Sequence, residues 1–360
     1  MPELVVLAEQ LLSPVPGGTG RYTAELLRAL AATAPEGWTV GSAVARHADV
    51  TAARVPGVRG PRRLPLPPKA LVAAWQAGVP LWPGGAAVHA PTPLAPPRAP
   101  RGRSLSVTVH DTVPWTHPET LTPRGVRWHR AMIGRAARGA DALVVPTEAV
   151  RGELAGFAAG PAPVHVVGHG VTTLPVAEPP AGLPPRYVLA VGTLEPRKGI
   201  DVLVAAMALL AEPEVPLLLA GQPGWGGLDP LALAREHGLG EHRVRVLGRL
   251  SDAELAAVLR GASVLAAPSL AEGFGLPVLE AMAAGVPVVH SDAPALAEVA
   301  GGAGRMVPRG DARALATALH EVLSSGPLAA GLAAAGRERA AAFSWRRAAL
   351  AVWRLHVPGA

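Results

Sequence analysis

Residues 268–290, PSLAEGFGLPVLEAMAAGVPVVH, constrain the fold more than any other stretch of the chain. A run of small and branched apolar residues ends at Ala267 and another spans residues 286–290. Both have the length and composition of strands buried in a parallel sheet. Between them the spacing predicts a loop and then a helix. Pro277 suits the first helical turn, where a missing N–H costs nothing, while Gly273 and Gly275 let bare backbone approach a ligand. The N–H groups of Gly275 and Leu276 then sit at the positive end of a helix, ready for phosphate. Glu272 falls in the loop and Glu280 lies one turn inside the helix, where side chains lean back toward the N-terminus. Carboxylates beside a phosphate would repel it, so these two serve neutral hydroxyls. A nucleotide sugar offers such hydroxyls on both sides of a diphosphate.

A second stretch, residues 187–210, reads as a buried strand (187–191), a loop (192–198) and a helix (200–210). Its loop brings Arg197 and Lys198 to the same carboxyl edge as the two glutamates. Adjacent Arg and Lys can neutralise a diphosphate, the guanidinium as a two-pronged fork and the ammonium as a point charge. Lysine occurs only at 69 and 198 in this arginine-rich chain, which hints that an ammonium was wanted in the loop.

The 360 residues suit two α/β domains better than one. With no cysteine, disulfides, thiolate catalysis and Cys-based metal sites are excluded. No apolar run approaches the roughly 18 residues a membrane span needs, and the N-terminus goes straight into a strand without a basic leader. A soluble, cytoplasmic protein is the expectation. Residues 1–180 carry seventeen Arg and Lys against eleven acids, whereas residues 181–360 carry sixteen against sixteen. The first half is therefore expected to meet something anionic, either a phosphorylated acceptor or a membrane surface at the inner face.

That first half reads as strand (4–7), glycine loop (16–20), helix (22–34) and strand (39–44). PGGTGRY could seat a phosphate, since its glycines expose backbone at a helix start. As a dinucleotide fingerprint it lacks the third glycine. Residues 51–100, crowded with Pro and Arg, read as exposed loops with one strand ending at His89. Residues 106–109 alternate into His110 and Asp111, a polar pair at the carboxyl edge of a sheet. Residues 123–140 predict a helix with Arg124, Arg127, Arg135 and Arg138 on one face and Val126, Ile133, Ala137 and Ala140 on the other. His165 and His169 lie on or near a strand, too far apart to chelate a metal. Ser251 reads as the N-cap of a helix over 252–261. Residues 292–298 and 311–323 predict further helices, and the final segment is amphipathic with Trp345 and Trp353.

EGFGLPVLE, with acids eight apart, GTLEPRKG and HDTVPWTHPE together resemble the retaining glycosyltransferases of family four, also called group 1. The resemblance covers nearly all of the second half and scattered segments of the first. It implies the GT-B architecture, α/β, with two Rossmann-like domains whose parallel sheets face across a cleft. The expected division is an acceptor-side domain over 1–175, a linker over 176–185, a nucleotide-sugar domain over 186–342, and a terminal helix over 343–360 crossing back to the first domain. It further implies transfer of a hexose, with a lean toward mannose from the HD segment, from a GDP- or UDP-linked donor to an acceptor hydroxyl. Retention at the anomeric carbon is expected by front-face attack, with the leaving phosphate helping to take the acceptor proton. No Asp-x-Asp pair occurs, and no metal or other cofactor is expected beyond the nucleotide-sugar co-substrate.

Carried over onto this chain, Glu272 orients the sugar, Glu280 holds the ribose, Arg197 and Lys198 stabilise the departing diphosphate, and His110 hydrogen-bonds near the reacting carbon. Asp111 is the carboxylate a double-displacement route would use. Gly18, Thr19, Gly192, Phe274, Gly275 and Leu276 complete the donor site, and Gly248 and Arg249 are candidate neighbours of the base. The acceptor is not identified by any residue. The alternatives are a nucleotide-sugar epimerase or phosphorylase of the same architecture, or a basic module that binds anions or membrane without catalysis. Nucleic acid is not an expected partner, because aromatic residues do not interleave with the basic clusters.

Overall fold

The computed structural model describes the whole chain except residues 173, 174, 176, 177, 179, 213, 225 and 358–360. Backbone contacts divide it into two units. One comprises Met1–Pro118, Thr122–Gly170 and Ser344–Ala360, and the other Val171–Phe343 with Glu119–Leu121. Of the linker expected over 176–185, residues 176, 177 and 179 lie outside the described residues.

The first unit runs β1 (Glu3–Leu7), α1 (Gly17–Ala32), β2 (Thr39–Val44), β3 (Arg59–Arg63), α2 (Pro68–Gln76), β4 (Ala87–Ala90), β5 (Ser104–Thr108), α3 (Val113–Thr116), α4 (Pro123–Gly139), β6 (Ala142–Val145), α5 (Glu148–Ala155) and β7 (Val164–Val166). Its seven strands are parallel in the order β3-β2-β1-β4-β5-β6-β7. The second runs β8 (Val188–Val191), α6 (Ile200–Leu209), β9 (Leu217–Ala220), α7 (Pro230–Glu236), β10 (Val244–Gly248), α8 (Asp252–Gly261), β11 (Val264–Ala267), α9 (Leu276–Ala284), β12 (Val288–Ser291), α10 (Pro294–Ala300), β13 (Arg305–Val307), α11 (Ala312–Ser324) and α12 (Gly326–Ala341). Its six parallel strands lie in the order β10-β9-β8-β11-β12-β13. The chain then returns to the first unit as α13 (Trp345–His356).

Both central strands, β1 and β8, are almost wholly apolar because helices cover both faces of each sheet. The strand order reverses between β1 and β4 in one sheet and between β8 and β11 in the other. Such reversals open a crevice at the carboxyl ends of the flanking strands. Each unit has its own core, one gathered around Trp75, Leu105 and Ile133 and the other around Leu203, Met207 and Leu319.

Several elements differ from the sequence reading. The glycine segment 16–20 is not a loop: α1 already begins at Gly17, so Gly18 and Thr19 occupy its first turn. A Cβ on Gly20 would lie 2.4 Å from that of Pro16, so the glycine lets the chain fold back on itself at the helix start. Residues 51–100 are mostly irregular, as expected, but they also hold two elements the sequence did not reveal, β3 and α2. Pro and Arg are tolerated in β3 because it is the sheet's edge, where one row of backbone groups needs no partner. Arg135 does not join a solvated stripe on α4. It donates to the carbonyls of Trp75 and Gln76 at 3.1 and 2.7 Å, capping α2. On the docked face of α4, Ile133, Ala137 and Ala140 are buried as expected and are joined by Met132 and Ala136, whereas Val126 is only half-buried. Ser251 caps α8 with a reciprocal bond from Glu254, as its spacing predicts.

The amphipathic terminal segment forms α13, which packs on α1. Trp353 is fully buried there, and its indole N–H donates to the Leu30 carbonyl at 3.2 Å. His356 sits between Ser104 Oγ (2.7 Å) and Ser106 Oγ (2.8 Å) of β5.

Candidate functional site

In the second unit the loops after β8 and β11 meet at the strand-order reversal. Leu270 N–H donates to the Arg197 carbonyl at 2.8 Å, and Arg197 Nη1 donates to the Ala271 carbonyl at 2.9 Å. Gly199 permits this approach: its φ is +65°, and a Cβ there would lie 2.3 Å from the Pro268 carbonyl oxygen. Gly275, with φ +94°, opens α9, and a Cβ would meet Leu296 Cδ2 at 2.4 Å. Any other residue would both strain the backbone and push α10 away from the start of α9.

The resulting pocket is lined by Gly192, Thr193, Lys198, Ser269, Glu272 and Gly275 among others. One wall is the start of α9, whose positive end favours an anion. On another, Lys198 Nζ contacts Glu272 Oε1 at 2.5 Å, and Arg197 Nη1 lies 3.4 Å from Glu272 Oε2. Ser269 Oγ donates to Glu272 Oε1 at 2.9 Å. Burial pushes the Glu272 carboxyl up, but Lys198 and then Arg197 outweigh it and hold it below the usual carboxylate range. Glu272 is therefore ionised and can only accept hydrogen bonds.

The sequence reading placed two cations at the same edge as the glutamates to meet a diphosphate, and the structure shows both ion-paired with carboxylates. The residue that reading missed is Glu195, whose Oε1 accepts from Arg197 Nη2 at 2.6 Å. With two cations set against two carboxylates, the cluster is neutral as it stands. The only signal for Glu195 was its place two residues before Arg197. Glu280 is buried on α9, 6% exposed. The side chain of Phe274 does not face the pocket. It packs edge-on against Phe343 with ring centroids 5.7 Å apart, because an apolar ring gains more from an aromatic neighbour than from the wet, charged crevice. Gly248 and Arg249 lie at the carboxyl end of the edge strand β10, and neither lines this pocket.

In the first unit the corresponding reversal is flanked by α1 and by the segment after β5. His110 Nε2 lies 2.8 Å from the Pro91 carbonyl. A carbonyl only accepts, so the proton is on Nε2, and Nδ1 carries the lone pair in the neutral ring. Burial lowers the His110 pKa, against smaller opposing effects of the Pro91 bond and Asp111. His110 meets Tyr22 edge-on at 4.8 Å, and His169 lies 5.7 Å away. Tyr22 and His169, neither of which the sequence marked as part of a site, share this cluster with Trp345. Burial also lowers the His169 pKa, well below the usual value. Asp111 Oδ1 accepts from Val113 N–H at 3.1 Å, closing the turn into α3. His165 is exposed on β7 and takes no part.

Two parallel-sheet α/β units, each with a ligand edge at its strand-order reversal, define the GT-B fold. The structure superposes on sucrose-phosphate synthase from Thermosynechococcus elongatus with a TM-score of 0.79 and 25% identity, over 99% of this chain and 98% of that one. Residues 16–173 match the family described as Glycosyltransferase Family 4, and residues 185–325 match Glycosyl transferases group 1. The chain belongs to this glycosyltransferase family. It is 37% identical over 249 residues to the phosphatidyl-myo-inositol mannosyltransferase of Mycobacterium leprae, covering 64% of this chain and 60% of that protein. It is 35% identical over 266 residues to the MMP alpha-(1->4)-mannosyltransferase of Mycolicibacterium hassiacum, covering 69% and 64%. The chain thus spans less than two thirds of either relative's length.

Proposed function

We propose that the protein transfers a hexose, mannose before others, from a GDP- or UDP-linked donor to an acceptor hydroxyl, with retention and without a metal ion. The observation that carries this reading is the convergence of Lys198, Glu272 and the start of α9 on one crevice, with Arg197 ion-paired to Glu272 beside it. Both relatives named above are mannosyltransferases, which supports mannose as the sugar.

The hard step is departure of the diphosphate, which gains charge as the glycosidic bond breaks. Arg197, Lys198 and the N–H groups of Gly275 and Leu276 would stabilise that charge electrostatically. Because Lys198 is paired with Glu272, the donor must exchange partners on entry. The diphosphate takes the ammonium, and the released carboxylate accepts from hydroxyls of the sugar. Glu280 would hold the ribose. His110, with its proton committed to Pro91, would accept from a sugar hydroxyl through Nδ1. Asp111 is occupied at the α3 turn, which favours front-face attack over a carboxylate nucleophile.

The acceptor side is read from charge. Arg124, Arg127 and Arg138 are exposed on α4, and among the described residues no helix is long and apolar enough to cross a membrane. We place an anionic acceptor, or an anionic lipid surface that carries it, near this unit. Screening GDP- and UDP-sugars for donor hydrolysis, with and without EDTA, tests the whole reading. Release of GDP from GDP-mannose that EDTA leaves unchanged is the expected result; absence of both nucleotide binding and hydrolysis would overturn it.

A further inference from the structure

The chain passes from the second unit back to the first between Phe343 and Ser344. Two aromatic residues flank that passage, and each is seated on a different half of the machinery. On one side Phe343 packs against Phe274, which stands two residues beyond Glu272. The guanidinium of Arg339 lies over the Phe343 ring, 4.9 Å from its centroid. Arg339 in turn donates to the carbonyls of Val299 and Glu298 at 2.9 and 2.8 Å, at the end of α10, the helix whose Leu296 packs on Gly275. The loop bearing Glu272 is thus held from behind by Phe274, Phe343, Arg339 and α10.

On the other side Trp345 stacks on His169 with ring centroids 5.8 Å apart and planes inclined by 18°. It also lies 5.9 Å from Tyr22. Tyr22 and His169 both touch His110, so the indole closes the back of the imidazole's cage. Gly170 makes room for it, since a Cβ there would lie 2.1 Å from Trp345 N. Phe343 and Trp345, two residues apart, thus each pack against a neighbour of a residue assigned to the reaction, Phe274 beside Glu272 and Tyr22 and His169 beside His110.

We propose that Phe343 and Trp345 are positioning residues, Phe343 setting the Glu272 loop through Phe274 and Trp345 setting the His110 ring through His169 and Tyr22. This rests on the transferase reading above. Aromatic contacts of this kind fix ring placement, and misplacement of a reacting group by an ångström costs far more in rate than in stability.

The experiment compares Phe343→Ala, Phe343→Tyr, Trp345→Ala and Trp345→Phe for GDP-mannose turnover, for GDP and UDP binding by calorimetry, and for thermal midpoint. Phe343→Ala should raise the donor KM and weaken nucleoside diphosphate binding about tenfold. Trp345→Ala should lower kcat about tenfold while leaving nucleoside diphosphate affinity unchanged. Phe343→Tyr and Trp345→Phe, which keep a ring in place, should restore most of each loss. Should the alanine variants fail to fold, Phe343→Leu and Trp345→Leu must show the same division in weaker form. Folded variants with lowered midpoints but wild-type kcat and KM would overturn the proposal, as would KM and kcat moving together in both. Wild-type protein that neither binds a nucleoside diphosphate nor releases one from a sugar donor would instead overturn the transferase reading and this inference with it.

Discussion

The two strand-order reversals use the same backbone geometry for opposite electrostatics. In the second unit the crevice between β8 and β11 is ionic, with Arg197, Lys198, Glu195 and Glu272 linked into one neutral cluster beside a helix start. In the first unit the edge after β5 is aromatic around the histidine, with Tyr22, His110, His169 and Trp345 packed ring on ring and Asp111 as its charged neighbour. Under the transferase reading proposed above, the difference would be a division of labour. A diphosphate that gains charge needs cations it can draw away from resident carboxylates. A neutral sugar hydroxyl needs a fixed acceptor whose protonation does not fluctuate, and burial keeps His110 in that state.

The largest test of this contrast is Lys198→Ala. Removing the ammonium should cut transfer by about a thousandfold or more, with circular dichroism unchanged, if charge stabilisation of the leaving group dominates. A loss near tenfold would mean that α9 alone carries the diphosphate.

His110→Ala should cost less, about a hundredfold in kcat. Because the ring acts as a neutral acceptor, His110→Asn should recover part of that loss, and His110→Lys none of it. Recovery by the cation would reverse the picture of a neutral acceptor.

A smaller effect of opposite sign is expected at Glu272. Glu272→Gln should bind GDP or UDP alone a few-fold more tightly, since Lys198 no longer has a carboxylate to leave. Weaker nucleotide binding in that variant would show the ion pair to be part of the diphosphate site rather than a partner displaced from it.

The smallest effect concerns stability. In the first unit a buried chain runs from Tyr22 Oη through Thr108, His89, Ser106 and His356 to Ser104. Burial, and for His89 also its histidine neighbours, pulls its pKa down to about 3 and that of His356 to about 4. The unfolded chain takes up these protons near pH 6.5 and the folded one only near 3 to 4. Between those values the unfolded state binds more protons, and stability falls as the pH is lowered. Each histidine contributes up to about 1.4 kcal/mol per pH unit in that window. Urea midpoints measured from pH 7 to pH 4.5 should decline accordingly. In His356→Asn, less stable at pH 7, the decline should be shallower.

The same contrast explains what was legible. The loops of the ionic crevice were readable because most of their chemistry lies in short contiguous strings, Arg197 with Lys198 and Glu272 to Glu280, each soon after an apolar strand. The cluster in the first unit was not, because Tyr22, Pro91, His110, His169 and Trp345 come from five separate segments that meet only through packing. Glycine content suggested a loop at 16–20, but the first turn of a helix needs no internal hydrogen bonds from its own N–H groups, so glycines there are tolerated. Pro61 and its neighbouring arginines suggested a loop, but edge strands accept both.

By itself the sequence determined the alternation of short buried strands and helices, hence parallel sheets. It also determined which charged side chains stand at strand ends, because both follow from local periodicity and turn chemistry. Only the tertiary structure decided that β11 lies beside β8, that Lys198 and Arg197 are satisfied by Glu272 and Glu195, and that the Pro91 carbonyl sets the His110 tautomer. Those are contacts between residues distant in the chain. They are selected by the burial of both sheet faces and by the need to pair every charge and hydrogen-bonding group taken out of water, neither of which a local pattern encodes.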